Sequence, residues 1–137
     1  MSRHFPPAIL VSLAFFILFV QLSAIHWHLY FQFWWLDKPM HMLGGLWIAL
    51  FGLLLYFRIP RAKAKDHSAE FVVAFSAALT LSVGLFWEIY EFGVDHAVGD
   101  SGRGLADTLQ DLVSDLLGAL FGALIFVRGG YHDIQTS

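Results

Sequence analysis

Long apolar blocks alternate with short polar joints along the chain, and this pattern predicts four membrane-spanning helices. The first block carries no charged residue, and each block approaches the roughly 20 residues that a helix needs to cross a bilayer. The predicted spans are residues 6–25, 40–57, 71–92 and 105–127. The fourth reaches spanning length only if its helix begins near Leu105, a start that carries three aspartates into the helix.

Composition supports the same class. Of the 137 residues, 58% are hydrophobic and only 14% are charged, whereas soluble domains have about 25% charged residues. The chain has no cysteine, which excludes disulfides and thiolate metal sites. The sequence therefore predicts an all-α polytopic membrane protein, a four-transmembrane-helix bundle that forms a single domain over residues 1–137.

The joint between the first two spans, residues 26–38, is rich in Trp, Tyr and Phe. Aromatic rings of this kind concentrate at membrane–water interfaces, so we expect an aromatic interfacial segment here. His26 and His28 belong to the same segment, and we interpret them as interfacial residues rather than as ligands.

The distribution of basic residues predicts the orientation. Six of the eight fall on one side of the four-span arrangement, and only Lys38 and Arg103 fall on the other. The six are Arg3, Arg58, Arg61, Lys63, Lys65 and Arg128. The positive-inside rule then places both termini in the cytoplasm. Eight of the eleven acids lie on the opposite, outer side.

Three polar motifs reach this outer side at the ends of the spans. They are Asp37, Lys38 and His41 entering span two, Glu88, Glu91 and Asp95 ending span three, and Asp107, Asp111 and Asp115 beginning span four. The spacings of three and four residues put the acids of each motif on one helix face. Residues at helix ends are often charged for local reasons alone. Glu88, Asp111 and Asp115 resist that explanation, because an acid inside a bilayer costs about 2.5–3.5 kcal/mol and usually faces a cavity or bundle interior.

We therefore expect the three motifs to converge in one polar pocket. His41, Glu88, Glu91, Asp107 and Asp111 would line it. Asp37, Lys38 and Arg103 would form its rim, and Asp115 would lie at its floor. Clustered carboxylates with one histidine match Mg²⁺, Mn²⁺, Ca²⁺ or Zn²⁺, and the five lining residues are the candidate ligands of such a divalent metal. A network of carboxyl groups that share protons explains the same pattern, and spacing alone does not separate the two.

Small residues in span four predict a close helix contact. Gly118 and Gly122 are four residues apart, a spacing that lets two helix backbones approach. The expected partner is span two at Gly44 and Gly45.

The ordered motifs resemble those of the VanZ-like superfamily, and most closely its YjdF-type relatives, which are small bacterial integral membrane proteins. The similarity covers roughly residues 35–127, from Asp37-Lys38-x-x-His41 to the aspartates that precede Gly118. VanZ-like chains often have Gln where this chain has Glu91 and Asn where it has Asp115, so this pocket is more anionic. The resemblance implies a multi-pass fold and a location in the bacterial cytoplasmic (inner) membrane, but it supplies no reaction.

Three functions fit the pattern. The first is an enzyme of the outer leaflet that acts on a lipid or lipid-linked envelope substrate. Glu88 and Asp111 would be its central groups, and His41 would orient or transfer a proton. The carboxylates would hold a metal or act as general acid and base. The second is a cation- or ligand-binding or transport component. The third is a non-enzymatic accessory subunit of a membrane complex, whose polar residues only hold its helices together. The charge pattern gives no support for nucleic-acid binding.

Overall fold

A computed structural model describes residues 5–63, 67–99 and 104–132. All regular elements in these ranges are helices: α1 (Pro7–His26), α2 (Leu29–Gln32), α3 (Asp37–Tyr56), α4 (Pro60–Lys63), α5 (Ala69–Val98) and α6 (Leu105–Arg128). The four long ones, α1, α3, α5 and α6, are each long and apolar enough to cross a membrane. The predicted all-α, four-span fold class is therefore confirmed.

Helix α1 is apolar on every side and lies at the edge of the bundle, where it packs on α3. A turn at His28, whose φ of 53° lies in the left-handed region, reverses the chain into the short α2. The Tyr30 hydroxyl of α2 donates a hydrogen bond back to the Gln21 side chain of α1. The aromatic joint is thus folded against the end of α1, and Phe31 and Trp34 remain exposed.

Helix α3 begins at Asp37, three residues before the predicted start. Pro39 has no backbone N–H group. It fits in the first helical turn because the N–H groups there have no hydrogen-bond partner within the helix, so the helix loses no hydrogen bond. Because the helix starts early, Lys38 belongs to it and lies in its first turns together with His41.

Helix α5 is longer than predicted. The Ser68 hydroxyl caps its first turn by accepting a hydrogen bond from the Phe71 backbone N–H at 3.3 Å, and Gly99, with φ of 77°, ends it. Its 30 residues measure about 45 Å, well beyond the roughly 30 Å hydrocarbon core of a bilayer. One end of α5 must therefore extend past the apolar layer in any spanning arrangement.

Helix α6 packs against both α3 and α5, and glycines permit the closest approach. A Cβ atom added at Gly118 would overlap the Met42 carbonyl of α3, and one added at Gly45 would overlap the Asp115 carbonyl of α6. The expected contact between the glycines of span four and span two is present. The contact involves Gly45 but not Gly44, because a Cβ atom added at Gly44 would have no neighbouring atom within 4 Å.

The interior of the bundle is divided into two halves of different chemistry. The half near the start of α5 is an apolar core that includes Leu50, Leu53, Val72 and Phe126, all essentially inaccessible to solvent. The other half contains the buried polar residues of α3 and α6. We call the two ends of the molecule the apolar end and the polar end.

Substitution of Gly118 tests this packing. We expect Gly118→Leu to lower the free energy of unfolding in detergent by about 3 kcal/mol or more, because the new side chain meets a helix backbone that cannot move aside. Gly44→Leu is the matched control, since that position has no neighbour within 4 Å. Equal stability of the two variants in a denaturant titration would contradict the packing described here.

Candidate functional site

His41 lies at the centre of the polar half and is almost fully buried. Its Nδ1 atom is 3.3 Å from Oδ1 of Asp115, one turn deeper in the bundle. Its Nε2 atom is 3.9 Å from Asp37 Oδ1 and 3.8 Å from Asp111 Oδ1. One side of the ring is therefore held by a carboxylate, while the other side faces two more.

Lys38 connects two carboxylates of α6. Its Nζ atom donates hydrogen bonds to Asp107 Oδ1 at 2.6 Å and to Asp111 Oδ1 at 2.7 Å, and it lies 3.9 Å from Asp37. The Asp111 side chain is only 1% exposed, so this ammonium group is its main source of positive charge. The sequence predicted a rim position for Lys38, and the structure places its ammonium group between Asp107 and Asp111 with the side chain 19% exposed.

Helix α5 contributes a second set of acids next to the same histidine. Atoms of His41, Glu88 and Glu91 all lie within 4.8 Å of one another, and so do atoms of His41, Asp37 and Asp111. The Oε1 atom of Glu88 is buried and has no hydrogen-bond partner among the described residues. His41 is thus shared by two groups of three residues that each have the spacing of metal ligands.

Asp115 forms the floor of this arrangement. It is 4% exposed, and its Oδ2 atom has no hydrogen-bond partner in the described parts of the chain. A Cβ atom at Gly84 of α5 would overlap that oxygen, so the glycine makes room for the carboxylate. Gly84 lies one helical turn before Glu88 on the same face of α5. This small residue is a component of the site that motif spacing did not reveal, although its position one turn before Glu88 was visible in the sequence.

We call this set of side chains the polar cluster: Asp37, Lys38, His41, Glu88, Glu91, Asp107, Asp111 and Asp115. Its six carboxylates exceed its two basic groups by four charges even when His41 is protonated. Charges at membrane depth are costly unless they are paired, protonated or bound to a cation. The cluster therefore has more ionisable carboxylates than Lys38 and His41 can pair.

The candidate residues from the sequence have the following positions. His41 contacts Asp115 and lies near Asp37, Asp111, Glu88 and Glu91. Asp107 reaches the cluster through Lys38. Asp95 is partly buried and belongs to neither group of potential ligands, and Arg103 lies outside the described residues.

The fold and the site define a small four-span helical membrane protein with a buried histidine–carboxylate cluster. The family whose description is "Predicted membrane protein (DUF2238)" matches residues 2–131, and the chain belongs to that family. No curated protein and no solved structure matches the chain.

Removal of the Lys38 ammonium tests its role in the cluster. We expect Lys38→Met to lower the free energy of unfolding by about 2–3 kcal/mol, less than the 3–5 kcal/mol of a fully buried pair because Lys38 retains some solvent access. Asp111→Asn in the same chain should restore much of the loss, since it removes the carboxylate left without a partner. Denaturant titration of the single and double variants measures both effects.

The control is Arg128→Gln, which removes an exposed charge at the other end of α6. That variant should unfold like the wild type. Independent, additive effects of Lys38→Met and Asp111→Asn would show that the two groups do not interact.

Proposed function

We propose that the chain is a membrane-embedded, divalent-cation-dependent enzyme that acts on the polar headgroup of a lipid or lipid-linked envelope substrate. His41, Glu88 and Glu91 would hold the cation. The proposal rests on one observation: Asp115 contacts Nδ1 of His41, which leaves Nε2 on the side of Asp37 and Asp111, and ligand atoms of Glu88 and Glu91 lie within 4.8 Å of a ring nitrogen.

The histidine geometry supports a ligand role. Histidines that bind metals usually donate their other ring N–H to a carboxylate, which fixes the tautomer and the ring orientation. Asp115 is positioned to accept that bond from Nδ1, and Nε2 is then left to bind. A histidine held only by packing would not need a buried carboxylate beneath it.

The choice between the two groups of ligands follows from Lys38. Its ammonium already lies 2.7 Å from Asp111 and 3.9 Å from Asp37, so a dication beside those two acids would be repelled. In the described parts of the chain, Glu88 and Glu91 form no ion pair with Lys38, and Oε1 of Glu88 is buried without a hydrogen-bond partner. One imidazole and two carboxylates suit a borderline cation such as Zn²⁺ or Mn²⁺.

The cation and the residues around it would divide the chemistry between them. A bound dication would polarise a phosphoryl or carbonyl oxygen of the substrate and lower the pKa of a water molecule. Asp37 lies within reach of the His41 ring edge and is partly exposed, so it can accept a proton and pass it to solvent. Lys38 holds Asp107 and Asp111 in place and offers positive charge to an anionic headgroup.

Access from the membrane interface supports a lipid substrate. The cluster lies at one end of the bundle, beside the aromatic joint. Trp87 and Tyr90 are exposed on α5 next to Glu88 and Glu91, and such amphipathic rings are typical of the headgroup region. A substrate anchored in the bilayer could therefore present its headgroup without leaving the membrane.

A transport role is the second candidate, because polar side chains continue down α5. Thr80 and Ser76 are fully buried, and Ser76 Oγ has no hydrogen-bond partner among the described residues. Ser82 and Ser114, in contrast, each donate to the carbonyl four residues earlier. Val72, one turn before Ser76 on α5, belongs to the apolar core together with Leu50 and Leu53, however, and this core favours a site open at one end over a continuous path.

We also propose the orientation and the wider relationship that the sequence suggested. The division of basic residues supports cytoplasmic termini with the polar end outside, and the resemblance to small bacterial membrane proteins supports a bacterial inner membrane. The order of the acidic and histidine motifs supports a place among VanZ-like proteins of the YjdF type. Neither proposal alters the geometry of the cluster.

Metal content tests the proposed function. Protein purified in detergent and equilibrated with Zn²⁺ or Mn²⁺ should retain about one equivalent after dialysis, as elemental analysis would measure. Glu88→Gln and His41→Ala should lose it. Asp115→Asn should weaken binding by about 10–100-fold, the usual effect of removing a carboxylate behind a ligating histidine.

Glu70→Gln is the control, since Glu70 is an exposed acid at the other end of α5. It should bind like the wild type. Retention that is unaffected by Glu88→Gln and His41→Ala would refute the site, and hydrolysis of lipid headgroups by the metal-free protein would refute the requirement for a cation.

Cysteine labelling tests the orientation, because the chain has no cysteine of its own. A membrane-impermeant thiol reagent should label Gly99→Cys in intact cells, since that exposed position ends α5 beside the polar end. Ser68→Cys, at the opposite end of the same helix, should react only after the cells are lysed. The reverse pattern would place the polar cluster on the cytoplasmic side.

A further inference from the structure

A groove between α1 and α3 lies at the other end of the molecule from the polar cluster. It has a volume of about 360 Å³ and runs from Pro7 and Arg58 to Leu18. Apart from Arg58 its walls are apolar, with Ala14 and Phe51 among them. We propose that this groove binds one anionic phospholipid, with an acyl chain along the groove and the phosphate at Arg58.

The walls of the groove are fixed by specific contacts. The Trp47 indole N–H of α3 donates a hydrogen bond to the Leu10 backbone carbonyl of α1 at 2.9 Å. The indole ring also stacks on Phe51, with ring centroids 4.8 Å apart. These contacts hold α1 at a set distance from α3, so the groove is formed before anything binds in it.

The length of the groove matches one leaflet. From Pro7 to Leu18 the rise of α1 is about 16 Å. One half of a hydrocarbon core of roughly 30 Å has nearly the same depth. The groove thus accommodates a chain that enters at the apolar end of the protein and stops near the middle of the bilayer.

The charge at the mouth selects the headgroup. Arg58 is exposed just beyond the end of α3 and forms no ion pair with an acid in the described ranges. A guanidinium group matches a phosphate oxygen pair in a bidentate geometry. In the sequence Arg61, Lys63 and Lys65 follow closely, and such basic segments attract anionic lipids. An anionic lipid therefore fits this groove better than a zwitterionic lipid or an apolar helix.

Native mass spectrometry of the full chain in detergent tests this inference. With phosphatidylglycerol or phosphatidylcholine added at equal concentration, the wild type should retain one phosphatidylglycerol about fivefold more strongly, the factor expected from one basic residue near an anionic headgroup. Arg58→Gln should remove that preference. Ala14→Phe, which fills the groove, should reduce retention of both lipids.

Arg128→Gln is the matched control, because Arg128 is exposed at the same end of the bundle on α6 and does not line the groove. It should behave like the wild type. The proposal would be overturned if Arg128→Gln lowered the preference as much as Arg58→Gln, or if Ala14→Phe left lipid retention unchanged. A lipid-free wild-type dimer that Ala14→Phe converts to monomers would also overturn it, since the groove would then hold a second copy of the chain. Because the groove and the polar cluster lie at opposite ends, these outcomes do not depend on metal binding.

Discussion

The structure depends on basic groups that balance the charge of buried carboxylates inside a membrane span. Asp111 and Asp115 are nearly inaccessible, and an uncompensated charge at that depth would oppose insertion. Among the described residues, Lys38 and His41, from the first turns of α3, provide the basic groups in contact with these two carboxylates. The register of α3 against α6 follows from this requirement, because a shift by one turn would leave Asp111 without Lys38 and Asp115 without His41. Removing one partner of such a pair leaves an uncompensated buried charge, and this cost disfavours other registers of α3 against α6.

Glycines make the arrangement possible at close range. Gly45 and Gly118 bring the backbones of α3 and α6 together at the level of the cluster, and Gly84 leaves space for the Asp115 carboxylate. Below that level the buried side chains are mainly Leu, Val and Phe, with Thr80 and Ser76 of α5 among them. Packing at the apolar end thus holds the helices, and the polar end is free to carry an excess of acids. This division explains how a chain of 137 residues can contain a costly site and still fold.

The sequence predicted the helices well because hydrophobic runs of spanning length have few alternatives in a bilayer. It also singled out Glu88, Asp111 and Asp115, because acids within apolar runs are conspicuous, and the structure places these three near His41. The contacts of Lys38 with Asp107 and Asp111 could not be predicted, because they depend on the start of α3 at Asp37 and on its packing against α6. The packing of three helices also decides which acid each ring nitrogen of His41 faces, and no local sequence pattern encodes that packing.

In the proposed site, His41 binds the cation through Nε2 while Asp115 accepts a hydrogen bond from Nδ1. Nuclear magnetic resonance of the chain with isotope-labelled histidine nitrogens, titrated with Zn²⁺ in detergent micelles, measures the state of both nitrogens. The His41 Nε2 resonance should shift on addition of the cation, while Nδ1 should stay protonated and hydrogen-bonded. A shift at Nδ1 instead, or a His41 ring that does not respond while the cation binds elsewhere, would contradict the proposed site.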